Sequence, residues 1–377
     1  MSTIIGNDSD GQFAGRFVIA YDGVRLTPFM AVPFNEDITI GPTANLGYNT
    51  AINNHGQIAM GIAGPARDSN GNSVGVRSML VVDDTVVLRS GDATPFGGAY
   101  PSHFWNSQFI LNDHGHLLAN FDLFFNPFST FDTVIEFAPS ESGYDQTVRM
   151  TPGMPLQDGF SVRGTYQANW GSFDFSNNGD TIFGVSTTAD DQIPRPAIVV
   201  NGTIRRMSGP IDNFPDWYFN LSTRQVAIND SSEFAYSGIM ASSDWEGGRW
   251  TVFRNEDEIV WIDDGSDPLL ADWTITSVAN INITDTGDVF WQPGGIQNLL
   301  GDSVTALFRN DVVIATSDPD FLGDALFIEG GFSFNISDNG LWIIFETPDG
   351  IFRTMIPGPG STGLLMVGLL ASLRRRR

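Results

Sequence analysis

The sequence predicts an all-β fold, a β-propeller whose simplest form has six blades, with the N- and C-terminal strands sharing the closing blade. Three observations predict it. One polar turn signature recurs six times at near-even spacing, a second hairpin alternates with it, and no segment of the body carries convincing helical periodicity.

The first signature is an apolar approach, an Asn/Asp-rich turn usually closed by glycine, and a second apolar run. It reads TAINNHGQIAMGI, FILNDHGHLLANF, FDFSNNGDTIFGV, VAINDSSEFAYSG, NINITDTGDVFWQ and FNISDNGLWIIFE. Its turn-closing positions are Gly56, Gly115, Gly179, Ser232, Gly287 and Gly340, at intervals of 59, 64, 53, 55 and 53 residues. The polar turn residues ahead of them include Asn53, Asn112, Asn177, Asn229, Asp285 and Asp338. Asn and Asp tolerate positive φ and Gly prefers it, so each signature reads as a tight hairpin joining two strands.

The second hairpin reads SMLVVDDTVVLRSGD, AIVVNGTIRRMSG, TVFRNEDEIVWIDDG and TALFRNDVVIATSD, with the favoured loop Asn201-Gly202 in the second copy. DTVIEFAPSESGYDQTVRMTPG reads as the same unit with a longer loop, which would account for the 64-residue interval. A sixth copy, RFVIAYDGVRLTP, stands at the N-terminus. Four short strands per repeat make one propeller blade. The N-terminal hairpin is expected to complete the blade begun by 332–346 and so cover its edge, with 350–356 competing for that place as a third strand. The boundaries expected are a disordered segment 1–15, a propeller 16–356 and a tail 357–377.

Composition narrows the function classes. Forty-four acidic residues face nineteen arginines and no lysine, a net charge of −25; without the four terminal arginines the body stands at −29. Such a body repels nucleic acid and anionic lipid. It suits a protein facing salt or polyvalent cations, although an arginine-for-lysine codon bias explains part of the pattern. Cysteine is absent, which excludes disulfides, thiolate catalysis and cysteine-bound metal.

The C-terminus carries the strongest local signal. Pro357-Gly358-Pro359 is followed by an apolar run containing Leu364, Leu365, Met366, Val367, Leu369, Leu370 and Leu373, and then by Arg374, Arg375, Arg376 and Arg377. An apolar run closed by positive charge is how a chain is held in a membrane with its end in the cytoplasm. Thirteen helical residues rise about 20 Å, short of a hydrocarbon core of about 30 Å. Gly363 and Gly368 weaken the helix further. The run therefore suits transient presentation followed by cleavage better than a permanent transmembrane helix. The N-terminal MSTIIGNDSDGQFAG lacks the order of a signal peptide, so an export leader is expected upstream of it.

Two resemblances attach to these residues. Asn53 to Met60 and Asn112 to Ala119 resemble the tandem NxxGxxVAF-type repeat of bacterial proteins with interchangeable C-terminal anchors; Ser176, Thr284 and Ser337 replace the leading Asn elsewhere, and Ser232 replaces the Gly. The tail resembles the PEP-CTERM sorting signal of Gram-negative bacteria, with Gly358 where the defining form has Glu. That resemblance implies an exosortase, a sorting protease of the membrane, as a partner. Neither resemblance carries catalytic residues across.

Candidate chemistry in the body is sparse. His103, His114 and His116 could offer a metal three nitrogens, but His55 and His114 share one place in successive repeats, as solvent-facing turn residues would. The expectation is no metal site of that kind. The acidic loops 263–267 and 318–320 could take Ca²⁺, although neither has a complete calcium-loop pattern. Trp105, Trp170, Trp217 and Trp273 recur ahead of the signature hairpins; exposed they would stack on sugar rings, buried they would fill the wedge between blades. The sequence thus points to a non-enzymatic, exported surface or extracellular-matrix protein, a binding scaffold for matrix polysaccharide or other surface proteins. The alternative is a secreted carbohydrate-binding or carbohydrate-active propeller using one face.

Overall fold

In the four repeats whose turns are fully described, the signature folds as a three-residue hairpin loop. In the second repeat the Asn112 N–H donates to the His116 carbonyl at 3.0 Å, and the Gly115 N–H donates to the Asn112 carbonyl at 3.0 Å. The same two bonds recur at Ser176/Asp180 with Gly179, at Asn229/Glu233 with Ser232, and at Thr284/Asp288 with Gly287. The closing residue lies in the left-handed region every time: φ is 76° at Gly115, 85° at Gly179, 62° at Ser232 and 81° at Gly287. This is a type I turn followed by a left-handed bulge residue, a loop that preserves strand twist.

The structure is a computed structural model. It describes residues 2–355 apart from 8–12, 20–24, 27–31, 34, 41–44, 56, 84, 102–107, 122, 124–132, 142, 166–172, 192, 212–213, 221–224, 243–247, 257, 263–272, 299–301, 318–325, 329–332, 337–341 and 348–349. In several strands, among them all those before residue 35 and Phe214–Asn220, only the backbone is described. The chain forms two compact units, Met1–Val226 and Ala227–Arg377.

The fold is all-β and of propeller type: five mainly antiparallel sheets, each built on one inner and one outer hairpin, with a three-stranded sheet before them and another after them in sequence. In the first unit, the inner hairpin of Asn45–Ile52 and Ile58–Asp68 continues into Ser73–Val82 and Thr85–Arg89. Next comes the four-stranded meander of Phe109–Leu111, Leu117–Phe121, Thr133–Ser140 and Gly143–Met150. The third blade runs from Ser161–Thr165 through Phe173–Phe175, Thr181–Thr188 and Arg195–Val200 to Thr203–Met207. In the second unit, Phe234–Ser242 pairs with Arg249–Arg254 and that strand with Glu258–Ile262. Trp273–Ile283, Val289–Asn298, Ala306–Arg309 and Val312–Thr316 form the following blade. One 3-10 turn, Gln157–Gly159, is the helical element among the described residues.

Both faces of the inner strands are buried, which explains their unbroken apolar runs. Leu117, Ala119 and Phe121 point into a cluster with Ala59, Leu80 and Leu88 of the first blade, while Leu118 between them joins Phe173, Phe183 and Val185 of the third. Period-two alternation therefore serves two cores rather than a core and a solvent face. In the second unit Trp261, Trp291 and Phe308 stack at the centre of the same kind of cluster, with Trp291 to Phe308 at 4.2 Å between centroids. A buried ring of this size contributes about 2–3 kcal/mol by removal of apolar area from water.

Three details depart from the sequence expectations. Residues 1–15 are not without regular structure: Ser2–Asn7 pairs with Phe13–Ile19, because the Thr3-Ile4-Ile5 run has the composition of a strand. The second blade's outer hairpin has no longer loop, since Ser140 pairs directly with Gly143; the added length lies in two eight-residue strands. And Gly350–Met355 pairs with Trp342–Thr347 over its whole length as the third strand of the C-terminal sheet, while the N-terminal strands, with Arg25–Leu26, form a three-stranded sheet of their own.

The outer hairpins follow the expected chemistry. Asn201 and Gly202 sit at φ 51° and 76° in a two-residue loop between Val200 and Thr203. Ser232, by contrast, pays for an L-residue in the left-handed region with about 1 kcal/mol. Ser232→Gly is therefore expected to stabilise by no more than about 0.5 kcal/mol after the added unfolded-state entropy, and Gly179→Ala, whose Cβ meets nothing within 4 Å, to destabilise by about 1 kcal/mol through φ alone. Urea unfolding midpoints at equal m-values check both.

Candidate functional site

The inner turns bring the chemistry-bearing residues of each unit together along one line of hairpin tips. The leading Asn of the turn organises that line. Asn53, Asn112 and Asn229 are buried. Each side-chain oxygen accepts two backbone N–H groups of its own turn: His55 and Gln57 at 3.1 and 3.0 Å, His114 and His116 at 3.0 Å each, Ser231 and Glu233 at 3.0 and 2.9 Å. Each side-chain amide then donates out of the repeat to the carbonyl at the same place in the next one. Asn53 Nδ2 reaches Asn112 O at 2.9 Å, Asn112 Nδ2 reaches Ser176 O at 3.4 Å, and Asn229 Nδ2 reaches Thr284 O at 2.7 Å.

A second set of bonds runs beside this clasp. The Asn54 N–H and side-chain amide donate to the two oxygens of Asp113 at 2.8 Å each, the Asp113 N–H donates to Asn177 Oδ1 at 2.7 Å, and the Asp230 N–H to Asp285 Oδ1 at 3.4 Å. The turn glycine also meets the preceding repeat. A Cβ on Gly115 would lie 3.3 Å from Gln57 Oε1, and one on Gly287 would lie 2.9 Å from Glu233 Oε2. Glycine at these turns thus answers both positive φ and close approach.

The outer hairpins add an internal lock. Asp83, Asn201, Asn255 and Asn310 all sit near φ 50–54°. Each side-chain oxygen accepts the N–H of the first residue after the inner turn, from Ile58, Thr181, Phe234 and Val289, at 2.9 to 3.3 Å. Each backbone N–H returns a bond to that residue's carbonyl.

Two charged clusters flank the tips. In the second blade the buried carboxylate of Glu136 accepts from His116 Nδ1 at 2.6 Å and from the Arg149 guanidinium, so three adjacent strands or their turn contribute one group each. The His116 ring lies 6.4 Å from Phe175 of the next blade. In the fifth repeat Asp288 accepts from Arg309 and from Asn310 Nδ2. Burial alone would push its carboxyl up, but these hydrogen bonds and the Arg309 charge hold it below the ordinary range. Arg254 bridges repeats by donating to the Gly287 carbonyl at 2.7 Å while it pairs with Glu258.

The expected site residues divide as follows. Asn53, Asn112, Asn177, Asn229, Asp285, Gly115, Gly179 and Gly287 all lie in the turn line. His55 and His114 are exposed at the tips, whereas His116 turns inward to Glu136. Among the described residues no group of three His, Asp or Glu could hold a metal ion. Trp273 is half-buried against the core cluster of its blade. Trp217 lies on Phe214–Asn220, with its side chain outside the description. Trp105, Trp170, His103, Gly56, Asp338, Gly340, the loops 263–267 and 318–320 and the whole tail 357–377 lie outside the described residues. Among the described residues no helix is long and apolar enough to cross a membrane. Sequence reading did not find Glu136, Arg149, Asp288 and Arg309. A single charged residue inside an apolar strand, as in VIEF and ALFR, is the signal that marks Glu136 and Arg309.

No family model matches the chain, and no curated protein does. Similar solved structures include a candidate 6-phosphogluconolactonase from Bacteroides uniformis, 13% identical, with 96% of this chain and 93% of that one aligned at a TM-score of 0.36. A protein of unknown function from Dyadobacter fermentans is 10% identical over 87% and 97% at 0.36, and the WD40 domain of Toxoplasma gondii coronin is 9% identical over 83% and 68% at 0.31. Superpositions this loose carry no argument about activity.

Asn229→Ala removes a turn cap and an inter-repeat donor together and is expected to cost about 2–4 kcal/mol, more than the roughly 1 kcal/mol of an ordinary exposed cap. Asn229→Asp keeps the cap but aims a carboxylate at the Thr284 carbonyl and Glu233, so it is expected to destabilise too; thermal unfolding at neutral pH reads both. Asp288 should contribute stability that is complete above about pH 4, its unfolded value, and is lost as pH falls through its lower folded value. Acid unfolding of Asp288→Asn should lack that component, and an unchanged acid limb would refute the assignment.

Proposed function

We propose that this chain is a non-enzymatic scaffold of the cell envelope or extracellular matrix, presented to the membrane by residues 357–377. The observation that carries this reading is the tail, with Pro357-Gly358-Pro359, a run too short to span, and four terminal arginines. The structure of the body supports it. The polar side chains of the turn line hold repeat to repeat, which suits a rigid support. A ring of six blades fits the repeat count. The partners proposed are a membrane sorting protease and, at the tips, matrix polysaccharide or other surface proteins, with divalent cations such as Ca²⁺ as bridges for an acidic body. Packing of Trp273 against its core favours the scaffold over a sugar-stacking face.

The test is expression behind an export leader in a Gram-negative host that carries an exosortase, with an epitope inserted at Glu141. The full chain is expected in the envelope fraction with its tail removed. Deletion of 357–377, or Arg374–Arg377 changed to serine, should abolish that processing. Full-length chain retained in the cytosol with the arginine cluster intact would overturn the proposal.

A further inference from the structure

Of the six inner turns, the second alone has histidine on both sides of its closing residue, His114-Gly115-His116. In four other repeats the place of His116 holds Gln57, Asp180, Glu233 or Asp288, each accepting from an Asn amide. His116 instead has a buried acid brought to it. Glu136 is 4% exposed, and it accepts from His116 Nδ1 at 2.6 Å through one oxygen and from the Arg149 guanidinium through the other. An ionised carboxylate can only accept, so Nδ1 carries the hydrogen and Nε2 keeps the lone pair. Arg149 already supplies the counter-charge of Glu136, so the bond from His116 serves to fix a ring. That ring is 34% exposed. The exposed ring of His114 stands beside it, at 6.3 Å between centroids and 70° between planes.

We propose that His114 and His116 form a binding site for a divalent transition metal, with Zn²⁺ as the ion it fits. Imidazole nitrogen suits zinc, copper and nickel, whereas calcium takes oxygen. Two imidazoles bonded to zinc at about 2.0–2.1 Å hold their ring centroids about 5–6.5 Å apart, a range that includes the separation found here. A histidine that binds metal through one nitrogen is ordinarily held through the other by a carboxylate or carbonyl, which fixes its tautomer and raises its basicity as a ligand. Glu136 stands in that place with Arg149 behind it, and both lie on strands. The backbone is held as well, since Asn112 Oδ1 accepts the N–H groups of both histidines at 3.0 Å. Among the described residues no group of three His, Asp or Glu could hold the ion, so its remaining positions go to water and stay open to a further ligand. A chain of net charge −25 gathers divalent cations at its surface and so favours capture. The preceding repeat has His55 at the place of His114 but Gln57 at that of His116, and it lacks the pair. The site stands independently of the tail reading.

Calorimetric titration of the full chain, free of any histidine tag, with Zn²⁺ alone tests the site. Excess Ca²⁺ in the buffer occupies surface carboxylates and leaves imidazoles to zinc. One saturable zinc per chain is expected. His114→Ala, at an exposed position that folding does not need, should abolish it, and His55→Ala should leave it unchanged. Glu136→Gln should weaken binding about 10–100-fold as the held ring loses its carboxylate. Nitrogen-15 spectra of histidine-labelled chain supply a second readout. Before zinc, His116 should show a protonated Nδ1 and an unprotonated Nε2; on titration, His114 and His116 should shift together while His55 stays in place. No saturable zinc in excess Ca²⁺, zinc retained by His114→Ala, or shifts that spare His116 would each overturn the site. Equal affinity of Glu136→Gln and wild type, with the His116 tautomer unaltered, overturns the positioning role of Glu136.

Discussion

The buried Asn of the inner turn is the constraint on which the rest depends. A buried primary amide must satisfy an acceptor and two donors at once. Here the oxygen is satisfied inside the repeat and the nitrogen partly outside it, so a turn cannot close without also locating its neighbour. Asn53 shows the full pattern: Oδ1 takes His55 and Gln57 N–H groups, and Nδ2 divides between Gln57 Oε1 and the Asn112 carbonyl. Neither Asp nor Ser can do both, since one lacks a donor and the other lacks reach. The chemistry of one residue type thus converts a local hairpin signal into a long-range contact 55 to 64 residues away.

That coupling explains why the strands can be apolar on both faces without losing register. A strand with one wet face is fixed because a one-residue slip would expose its core side. Leu117–Phe121 has no wet face, and a slip would exchange one buried row for another at little cost in burial. Polar groups must therefore fix the register, through the inner-turn Asn in the first, second and fourth repeats and through the outer hairpin in the first, third, fourth and fifth. The inner Asn aligns neighbouring blades, and the left-handed Asx residue of the outer hairpin ties Ile58, Thr181, Phe234 or Val289 to its own sheet.

Much of this was legible in the sequence. The period, the alternation of two hairpins and the turn-closing glycines follow from residue chemistry at fixed positions, and Asn201-Gly202 behaves as its composition requires. What the sequence hid is the direction of side chains across space. Asn53 reads as a turn former, and nothing local says that its amide leaves the turn. His116 reads as one of a histidine pair, yet its partners Glu136 and Arg149 lie 20 and 33 positions on, brought beside it by pairing of Leu118 with Glu136 and Glu136 with Thr147. The second outer hairpin misleads for a related reason: ESG resembles the middle of a long loop, but strand pairing continues to Ser140 and Gly143 on either side of a two-residue turn. The strand Ser2–Asn7 was obscured by the polar stretch that follows it.

The position four residues past the turn Asn shows how the repeats diverge without losing the device. It holds Gln57, Asp180, Glu233 and Asp288 in four repeats, each accepting from an Asn amide of its own blade: Asn53, Asn201, Asn229 or Asn310. In the second repeat it holds His116, and the acceptor is supplied instead by Glu136 from the neighbouring strand. The fifth repeat has the opposite arrangement, with the acid at the turn and the base, Arg309, on the strand. Sheet pairing fixes the two places, so either can carry the negative charge while the pair survives. A chain with 44 acids and few bases gains from such exchange, because each scarce cation neutralises a half-buried carboxylate wherever drift has put it. The tip residues vary more in type, with Asn54, Asp113 and Asp285 at one place, yet each of these still takes part in the bonds that run from repeat to repeat. The geometry of the turns is held by buried amides, by half-buried ion pairs and by the bonds between neighbouring tips.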